Sequence, residues 1–407
     1  MLTRAAVLRR SPGKFEVVDI ELDEPRQAEL QVKMVASGLC HSDEHFQTGD
    51  NVAAHYPIVM GHEGAGIVEA IGPNTYGWDV GDHVVFSFIP SCGRCRWCSS
   101  GMTNLCDLGA HLTRGSRFDD LESFRFTLEG RGVGQLCGLG TFSERTVVST
   151  DSVIKVGKEL PLDRLCLLAC GVGTGWGSAV NAGNVRPGDV VIVMGTGGVG
   201  ISAIQGAAHC GATAVIAADP VEFKRKVALK VGATHGFASI GEADEFAKSV
   251  TNGQGADTTI ITVGVLTGAH IAEGLASIRK GGTLVVTSVG DMNADAGVPI
   301  NPWEITLMQK RIQGALFGQC NPRADIPRQI EMYRRGQLKL DELVTRTYRL
   351  GDVVAAYEDL TAGRNIRGVI TYDLGALGPP LMGRVQKPLR VERTRLGASL
   401  WQQRCAP

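Results

Sequence analysis

Two rhythms of apolar and polar residues divide the chain. Between residue 1 and about residue 150, apolar positions come in short, partly alternating runs broken by glycine. Gln31-Val-Lys-Met-Val-Ala-Ser37, Gly66-Ile-Val-Glu-Ala-Ile-Gly72 and Gly81-Asp-His-Val-Val-Phe-Ser-Phe88 are of this kind. Alternation puts successive side chains on opposite faces, so these runs predict strands in a β-rich region. Near residue 171 the pattern changes. Val190-Val-Ile-Val-Met194 is a continuous apolar run that ends in glycines and leads into a helical stretch. Ala214-Val-Ile-Ala-Ala218, Thr258-Thr-Ile-Ile-Thr-Val263 and Gly282-Thr-Leu-Val-Val-Thr287 follow at intervals that fit helices between them. Apolar strands alternating with helices predict an α/β unit whose parallel sheet is covered on both faces. Beyond about residue 315 the pattern is less regular, and the chain is expected to rejoin the first region. Residues 377–407 carry prolines, glycines and six Lys/Arg against one Glu, which reads as a poorly ordered basic tail.

The strongest chemical signal lies inside the first region. Cys92, Cys95, Cys98 and Cys106 are spaced C-x2-C-x2-C-x7-C, with Gly93 and Gly101 free to turn the backbone. Four thiolates so close can wrap one tetrahedral zinc, in a closed set that leaves no position for a substrate. This is a structural metal, and the chemistry must lie elsewhere. The rival reading is two disulfides.

Composition narrows the function class. The chain has 407 residues and 43% hydrophobic content, enough for two full cores. Lys+Arg total 41 against 42 Asp+Glu, which gives no electrostatic ground to expect nucleic acid or an anionic membrane as partner. No apolar run approaches the roughly 20 residues that span a bilayer. The first ten residues are too weakly apolar for a secretory signal. Eleven cysteines then point to metal ligands and reduced thiols, and a cytoplasmic location is expected.

Gly195-Thr-Gly-Gly-Val-Gly200 follows one predicted strand and precedes a predicted helix. The motif alone is weak, but its context matches a dinucleotide site: strand, glycine turn, helix, and an acid about 20 positions on. Gly195, Gly197, Gly198, Val199 and Gly200 would bring backbone close to a pyrophosphate at the helix N-terminus. Asp219 ends the second strand, where a carboxylate would accept ribose hydroxyls and repel a 2′-phosphate, so NAD(H) is expected rather than NADP(H). Lys224 is placed to flank the adenosine ribose.

Cys40, His62 and Cys170 are candidates for a second zinc. Cys40 opens Cys-His-Ser-Asp-Glu-His45, His62 lies in Gly61-His-Glu-Gly-Ala-Gly66, and Cys170 lies in Ala-Cys-Gly-Val-Gly-Thr174. Two thiolates and an imidazole would leave a fourth position open. Each residue taken singly is a weak signal, since buried free cysteines and structural histidines are common.

Together these motifs resemble the zinc-containing, medium-chain alcohol dehydrogenases, from about residue 5 to residue 373. The resemblance implies a GroES-like β-rich catalytic domain (1–171 and 315–376, with a zinc lobe at about 91–107). It also implies a Rossmann doubly wound coenzyme domain over 172–314. Two zinc ions per chain are implied, one catalytic (Cys40, His62, Cys170) and one structural (Cys92, Cys95, Cys98, Cys106). An alcohol is then oxidised to an aldehyde or ketone by hydride transfer to NAD. Ser42 matches the hydroxyl that hydrogen-bonds the substrate, His45 the solvent end of a proton relay, and Asp43 the carboxylate that orients the zinc histidine. Glu63 lies behind the metal, His41 and Arg367 match pyrophosphate contacts, Thr174 stands near the nicotinamide, and Phe88 matches a pocket residue. The long stretch from Cys106 to Thr141-Phe-Ser-Glu144 matches the dimeric branch and implies a homodimer.

Several segments further resemble an actinobacterial branch, among them Ser37-Gly-Leu-Cys-His-Ser-Asp-Glu-His45 and Asn104-Leu-Cys-Asp-Leu-Gly-Ala110. Some of its members are nicotinoproteins, which retain NAD(H) and pass electrons to another acceptor such as nitrosodimethylaniline. The branch that oxidises the thiol adduct of formaldehyde carries a basic residue after the fourth structural cysteine. Asp107-Leu-Gly-Ala110 has none. The remaining alternatives are a zinc-free quinone reductase on the same fold and a zinc module that binds nucleic acid or protein.

Overall fold

Short alternating runs in the first region fold as two sheets. The computed structural model describes residues 1–291 and 297–373, so the tail at 377–407 lies outside the described residues. Leu2–Leu8, Phe15–Leu22, Phe126–Leu128, Arg131–Gln135 and Ile58–Val59 close a small barrel. Ala5, Val7, Ile20, Leu22, Val59, Phe126 and Val133 fill one core around it. A seven-stranded sheet runs in the order Val153–Val156, His83–Phe86, Glu63–Ile71, Glu29–Gly38, Arg367–Thr371, Val344–Tyr348, with Arg145–Ser149 also paired to Glu29–Gly38. As expected, the chain beyond residue 315 returns to the first region.

Register in this sheet positions the chemistry. Glu29–Gly38 pairs antiparallel with Glu63–Ile71 so that Gly38 faces Glu63. The strand ends just before Cys40, and its partner begins just after His62. Gly38 is required there, because a Cβ would run into Glu63 Oε2. Arg367–Thr371 pairs with the same central strand and brings Arg367 to the same end.

Continuous apolar runs in the second region fold as a six-stranded parallel sheet. Its order is His235–Phe237, Ala214–Ala218, Val190–Met194, Ala256–Ile261, Ile278–Val286, Arg311–Gly314. The direction of strand addition reverses between Val190–Met194 and Ala256–Ile261, and ligands of open α/β sheets bind at such a switch point. Val190–Met194 and Ala214–Ala218 are buried throughout, which is why their sequences are uniformly apolar. The third predicted strand is found two residues earlier, and the fourth begins earlier, at Ile278. Both edge strands escape the apolar pattern. Arg311–Gly314 is exposed along its length, so no burial constrains its sequence.

Between the two regions, Leu162–Leu165 and Cys166–Ala169 lead into the helix Gly171–Gly177. Leu165, Leu167, Leu168 and Val172 pack in one core with Val191, Val193, Ile201 and Ile204. Cys170 sits at the break, with φ −148° and ψ −79°, so the helical path bends there. Among the described residues, no single helix is long and apolar enough to cross a membrane.

Candidate metal and coenzyme sites

Two groups of side chains that could hold a metal ion form among the described residues. Cys92, Cys95, Cys98 and Cys106 place their sulfurs within 4.8 Å of one another. Gly93 and Gly101 adopt φ +74° and +86°, the left-handed turns that wrap the loop and that favour glycine. Cys95 precedes the short helix Arg96–Ser99, and the amide of Cys98 donates to its sulfur at 3.4 Å. That hydrogen bond and one from the Asp107 amide hold the Cys95 thiol down to about 6, so a thiolate is accessible there. All four cysteines are free, which removes the disulfide reading. Asn104 Nδ2 donates to the Leu316 carbonyl at 3.1 Å, and Arg323 Nε to the Ser91 carbonyl at 3.2 Å, tying the lobe down.

The second group is assembled from distant segments. Ligand atoms of Cys40, His62, Glu63 and Cys170 lie within 4.8 Å of one another. Asp43 Oδ2 stands 3.0 Å from His62 Nδ1, and its Oδ1 accepts from the Gly61 amide at 2.9 Å. Both side chains are buried. Burial would pull His62 down, but the Asp43 carboxylate, with Cys170 and Cys40, holds it well above its ordinary value. Cys40 is held well below the usual thiol range, chiefly because Cys170 donates to its sulfur, with His62 and Arg367 adding to the effect. This set of soft sulfur and imidazole donors, buried and free of disulfides, fits zinc.

Glu63 has a different set of partners. Its Oε2 accepts from Arg367 Nη2, and its Oε1 accepts from the Gly171 amide at 2.9 Å. Burial pushes its carboxyl up, to about 7, against the opposing effect of Arg367. Arg367 is 3% exposed and also donates to the Leu39 carbonyl at 3.1 Å. The same guanidinium lies against Gly198 and Gly171, where a Cβ would collide with it. It therefore joins the metal cluster to the glycine turn.

That turn has an open side. Gly195 has φ +89°, and a Cβ on Gly200 would run into the Gly195 carbonyl. A Cβ on Gly197 would meet nothing within 4 Å, so backbone there faces space. The helix Gly198–His209 begins at this point, with its first amides directed at that space. Thr174 Oγ1 and Thr196 Oγ1 are buried without a hydrogen-bond partner. Open backbone, a helix N-terminus and two orphaned hydroxyls fit a dinucleotide phosphate and its ribose. The Asp219 carboxylate accepts from the Thr196 amide at 2.8 Å and the Val221 amide at 2.9 Å, so it shapes the turn.

Other expected residues fall around these centres. Ser42 Oγ lies 3.5 Å from Cys40 Sγ. His45 is on the same helix, His41–Thr48, three positions on. His41 is partly exposed, with Nε2 3.6 Å from Glu44 Oε2. The amine-bearing end of Lys224 lies close to Gly363 rather than to the metal cluster. The Phe88 ring meets His62 edge-on at 5.9 Å and Phe317 at 5.1 Å. Leu112 packs in the same cluster as Phe88. It also lines a cavity of about 500 Å³ with Ile89, Leu105, Asp107 and Leu316. The cavity is also lined by Cys106 of the four-cysteine lobe and by none of Cys40, His62 and Cys170.

Two contacts were not foreseen from the sequence. Tyr357 Oη donates to the Cys40 carbonyl at 3.3 Å, and Asp50 Oδ2 lies 3.1 Å from His45 Nδ1. Tyr357 is 317 residues from Cys40 along the chain, and no local pattern announces it.

Comparison with known proteins agrees with this geometry. Residues 26–158 match the alcohol dehydrogenase GroES-like domain and residues 198–335 the zinc-binding dehydrogenase domain. The chain is 49% identical to the NDMA-dependent alcohol dehydrogenase of Amycolatopsis methanolica, over 91% of this chain and 99% of that one. It is 46% identical to alcohol dehydrogenase B of Mycobacterium tuberculosis, over 91% of this chain and 99% of that one. A crystal structure of an alcohol dehydrogenase zinc-binding domain protein from Burkholderia ambifaria superimposes with a TM-score of 0.84 at 30% identity, covering 92% of this chain and 99% of that chain. The site geometry and these matches together place the chain in the family of zinc-binding, medium-chain alcohol dehydrogenases.

Proposed function

We propose that this enzyme oxidises alcohols to aldehydes or ketones, reversibly, with NAD as hydride acceptor and two zinc ions per chain. The convergence of Cys40, His62 and Cys170 from three distant segments carries this reading. The catalytic zinc belongs to those three residues and the structural zinc to Cys92, Cys95, Cys98 and Cys106. When bound, zinc supplies a Lewis acid and NAD a hydride acceptor, which the side chains alone lack. Asp43 fixes the His62 ring through its Nδ1. Glu63 and Arg367 hold the wall behind Cys40 and Cys170. Ser42 orients the substrate hydroxyl and takes its proton, and His45 passes that proton towards solvent. Thr174, His41, Lys224, Asp219 and the turn Gly195–Gly200 with Val199 hold the dinucleotide, and Arg367 supports the turn at Gly198. Phe88 borders the path by which substrate enters.

The similarity to an NDMA-dependent enzyme supports the nicotinoprotein variant, in which NAD(H) stays bound and an external acceptor removes electrons. Asp107 on the cavity wall puts a negative charge where a glutathione adduct would need a cation, so a simple alcohol fits better. The exposed edge strand Arg311–Gly314, with Leu307, Ile312 and Leu316 exposed nearby, supports a homodimer. Strand pairing supports a catalytic domain of 1–171 with 315–376 and a coenzyme domain of 172–314. The abundance of free thiols supports a cytoplasmic location.

The test is alcohol-dependent turnover of zinc-loaded protein, with free NAD+ in one tube and an artificial dye acceptor without added NAD+ in another. Dye reduction alone is expected from a nicotinoprotein, and NADH release alone from a dissociable-cofactor dehydrogenase. Absence of turnover in both tubes, or fewer than two zinc ions per chain, overturns the respective claim.

A further inference from the structure

His45 is the residue through which the proton leaves in the reading above, and the following inference rests on that reading. A relay histidine must present one ring nitrogen to the incoming proton and keep the other from competing. In this chain His45 is 4% exposed. Its Nδ1 lies 3.1 Å from Asp50 Oδ2. The Asp50 carboxylate is itself fixed, since Thr48 Oγ1 donates to the same oxygen at 2.9 Å. Gly49 makes this possible: it ends the helix with φ +99°, so the chain turns back and Asp50 reaches beneath His45.

The pair faces a second cavity, of about 240 Å³, lined by His41, Glu44, His45, Thr48, Asp50, Gly264, Val265 and Thr361. From the helix His41–Thr48 the other titratable groups are His41 and Glu44, which line the cavity, and Asp43, which is buried and engaged with His62 and the Gly61 amide. Thr361 Oγ1 donates to Glu44 Oε1 at 2.6 Å. Gly264 and Val265, from the loop after the strand Ala256–Ile261, bring no charge. Lys224 acts on His41 from the helix Glu222–Val231. Asp50 is therefore the carboxylate in contact with the His45 ring, while Glu44 is engaged with His41 and Thr361.

We propose that Asp50 is a positioning residue of the proton relay: it accepts the Nδ1–H of His45, fixes that tautomer, and leaves Nε2 as the proton acceptor. The logic is that of a carboxylate behind a general-base histidine, here a half-buried one, transferred to an alcohol oxidation. No proton passes to Asp50 itself. Nε2 gains a proton from the substrate side and later gives it to water at the cavity, while Nδ1–H stays hydrogen-bonded to Asp50. The Asp50 carboxyl is held below its ordinary value by the hydrogen bonds from His45 and Thr48, so it is an anion throughout the working pH range.

The variants are Asp50→Asn and Asp50→Glu, made in the full-length, zinc-loaded enzyme. Asp50→Asn keeps shape but removes the charge and can donate to Nδ1, which favours the wrong tautomer. Expected is a fall in kcat of roughly 10- to 100-fold, the range for partners that orient a working imidazole. KM should change little, because Asp50 does not touch substrate. Asp50→Glu should restore part of kcat. A second readout needs no turnover: histidine-selective 15N NMR, which separates the two ring tautomers, with the His45 resonances assigned from His45→Gln. The His45 ring should show more of the Nδ1-unprotonated tautomer in Asp50→Asn. An unchanged tautomer ratio overturns the pairing. A changed tautomer ratio with wild-type kcat overturns the positioning role. Wild-type protein that turns over no alcohol sinks the dehydrogenase reading and the relay role together, and the tautomer ratio still decides the pairing separately.

Discussion

The two cysteine clusters solve the same coordination problem in opposite ways. Cys92, Cys95, Cys98 and Cys106 come from one 15-residue loop, near the surface, with their spacing written into the sequence. Cys40, His62 and Cys170 are gathered from a strand end, a strand start and a helix break, and the site is buried. The local cluster needs only two left-handed glycines and a short helix to form. The dispersed one needs a correct antiparallel register, a buried Glu63–Arg367 pair and a kink at Cys170. A closed, local site suits a metal that holds a loop. A site built from distant segments is rigid because the whole core fixes it, which suits a metal that must present substrate at one geometry.

The comparison can be broken first at the ligands. Cys40→Ser should reduce alcohol turnover to background while the far-UV spectrum and thermal midpoint stay near wild type. Retained turnover would remove the catalytic assignment. Cys95→Ser should do the reverse: metal content falls from two to one, the thermal midpoint drops, and turnover per folded molecule falls far less than in Cys40→Ser. If both variants behaved alike, the division of roles would be wrong.

A second test concerns what supports the buried cluster. Glu63→Gln removes the carboxyl that pairs with the buried Arg367 guanidinium; that carboxyl is pushed up to about 7 and Cys40 also faces the guanidinium, so the expected cost is that of a weakened hydrogen bond to a buried charged group, about 1–3 kcal/mol. Denaturant unfolding of the metal-depleted protein should show a loss of that size. Asp43→Ala should weaken catalytic metal binding or activity by roughly 10- to 100-fold, as loss of a histidine-orienting carboxylate does elsewhere. Equilibrium dialysis against a graded chelator reads this directly, and unchanged affinity and activity would deny Asp43 its role.

The smallest effect lies far from either cysteine cluster. Asp359 is held down to about 2 by hydrogen bonds from Arg364, Tyr348 and Arg346. Its folded value is below the ordinary value of about 4, so its stabilisation is fully present above about pH 4 and fades as pH falls towards 2. Asp359→Asn should flatten the acid limb of the stability curve slightly in that window and leave it unchanged at neutral pH. An acid limb identical to wild type would show the ion pairs to be idle.

Much of this was legible without coordinates. The strands Val190–Met194 and Ala214–Ala218 appear where the apolar runs predict them, because burial on both faces leaves no room for polar residues. The edge strand Arg311–Gly314 left no such trace, because its side chains are solvated. The four-cysteine lobe was readable from spacing alone. Cys40, His62 and Cys170 were individually ambiguous, and the resemblance to a family was needed to join them. Arg367 was expected at a pyrophosphate, and the structure shows its guanidinium on Glu63 while its side chain lies against Gly198.

The sequence by itself determined the periodicities, the local metal loop and the glycine turn, since each depends on residues within a few positions of one another. Only the tertiary structure brought out Asp50 as the partner of His45. Asp43, inside the helix His41–Thr48, lies against His62, and Asp50, just past the end of that helix, lies against His45. The pairings depend on where the helix ends, how Gly49 turns, and how Gly38 and Glu63 align across two strands. These are contacts between separate segments, fixed by packing and register, and no run of neighbouring residues encodes them.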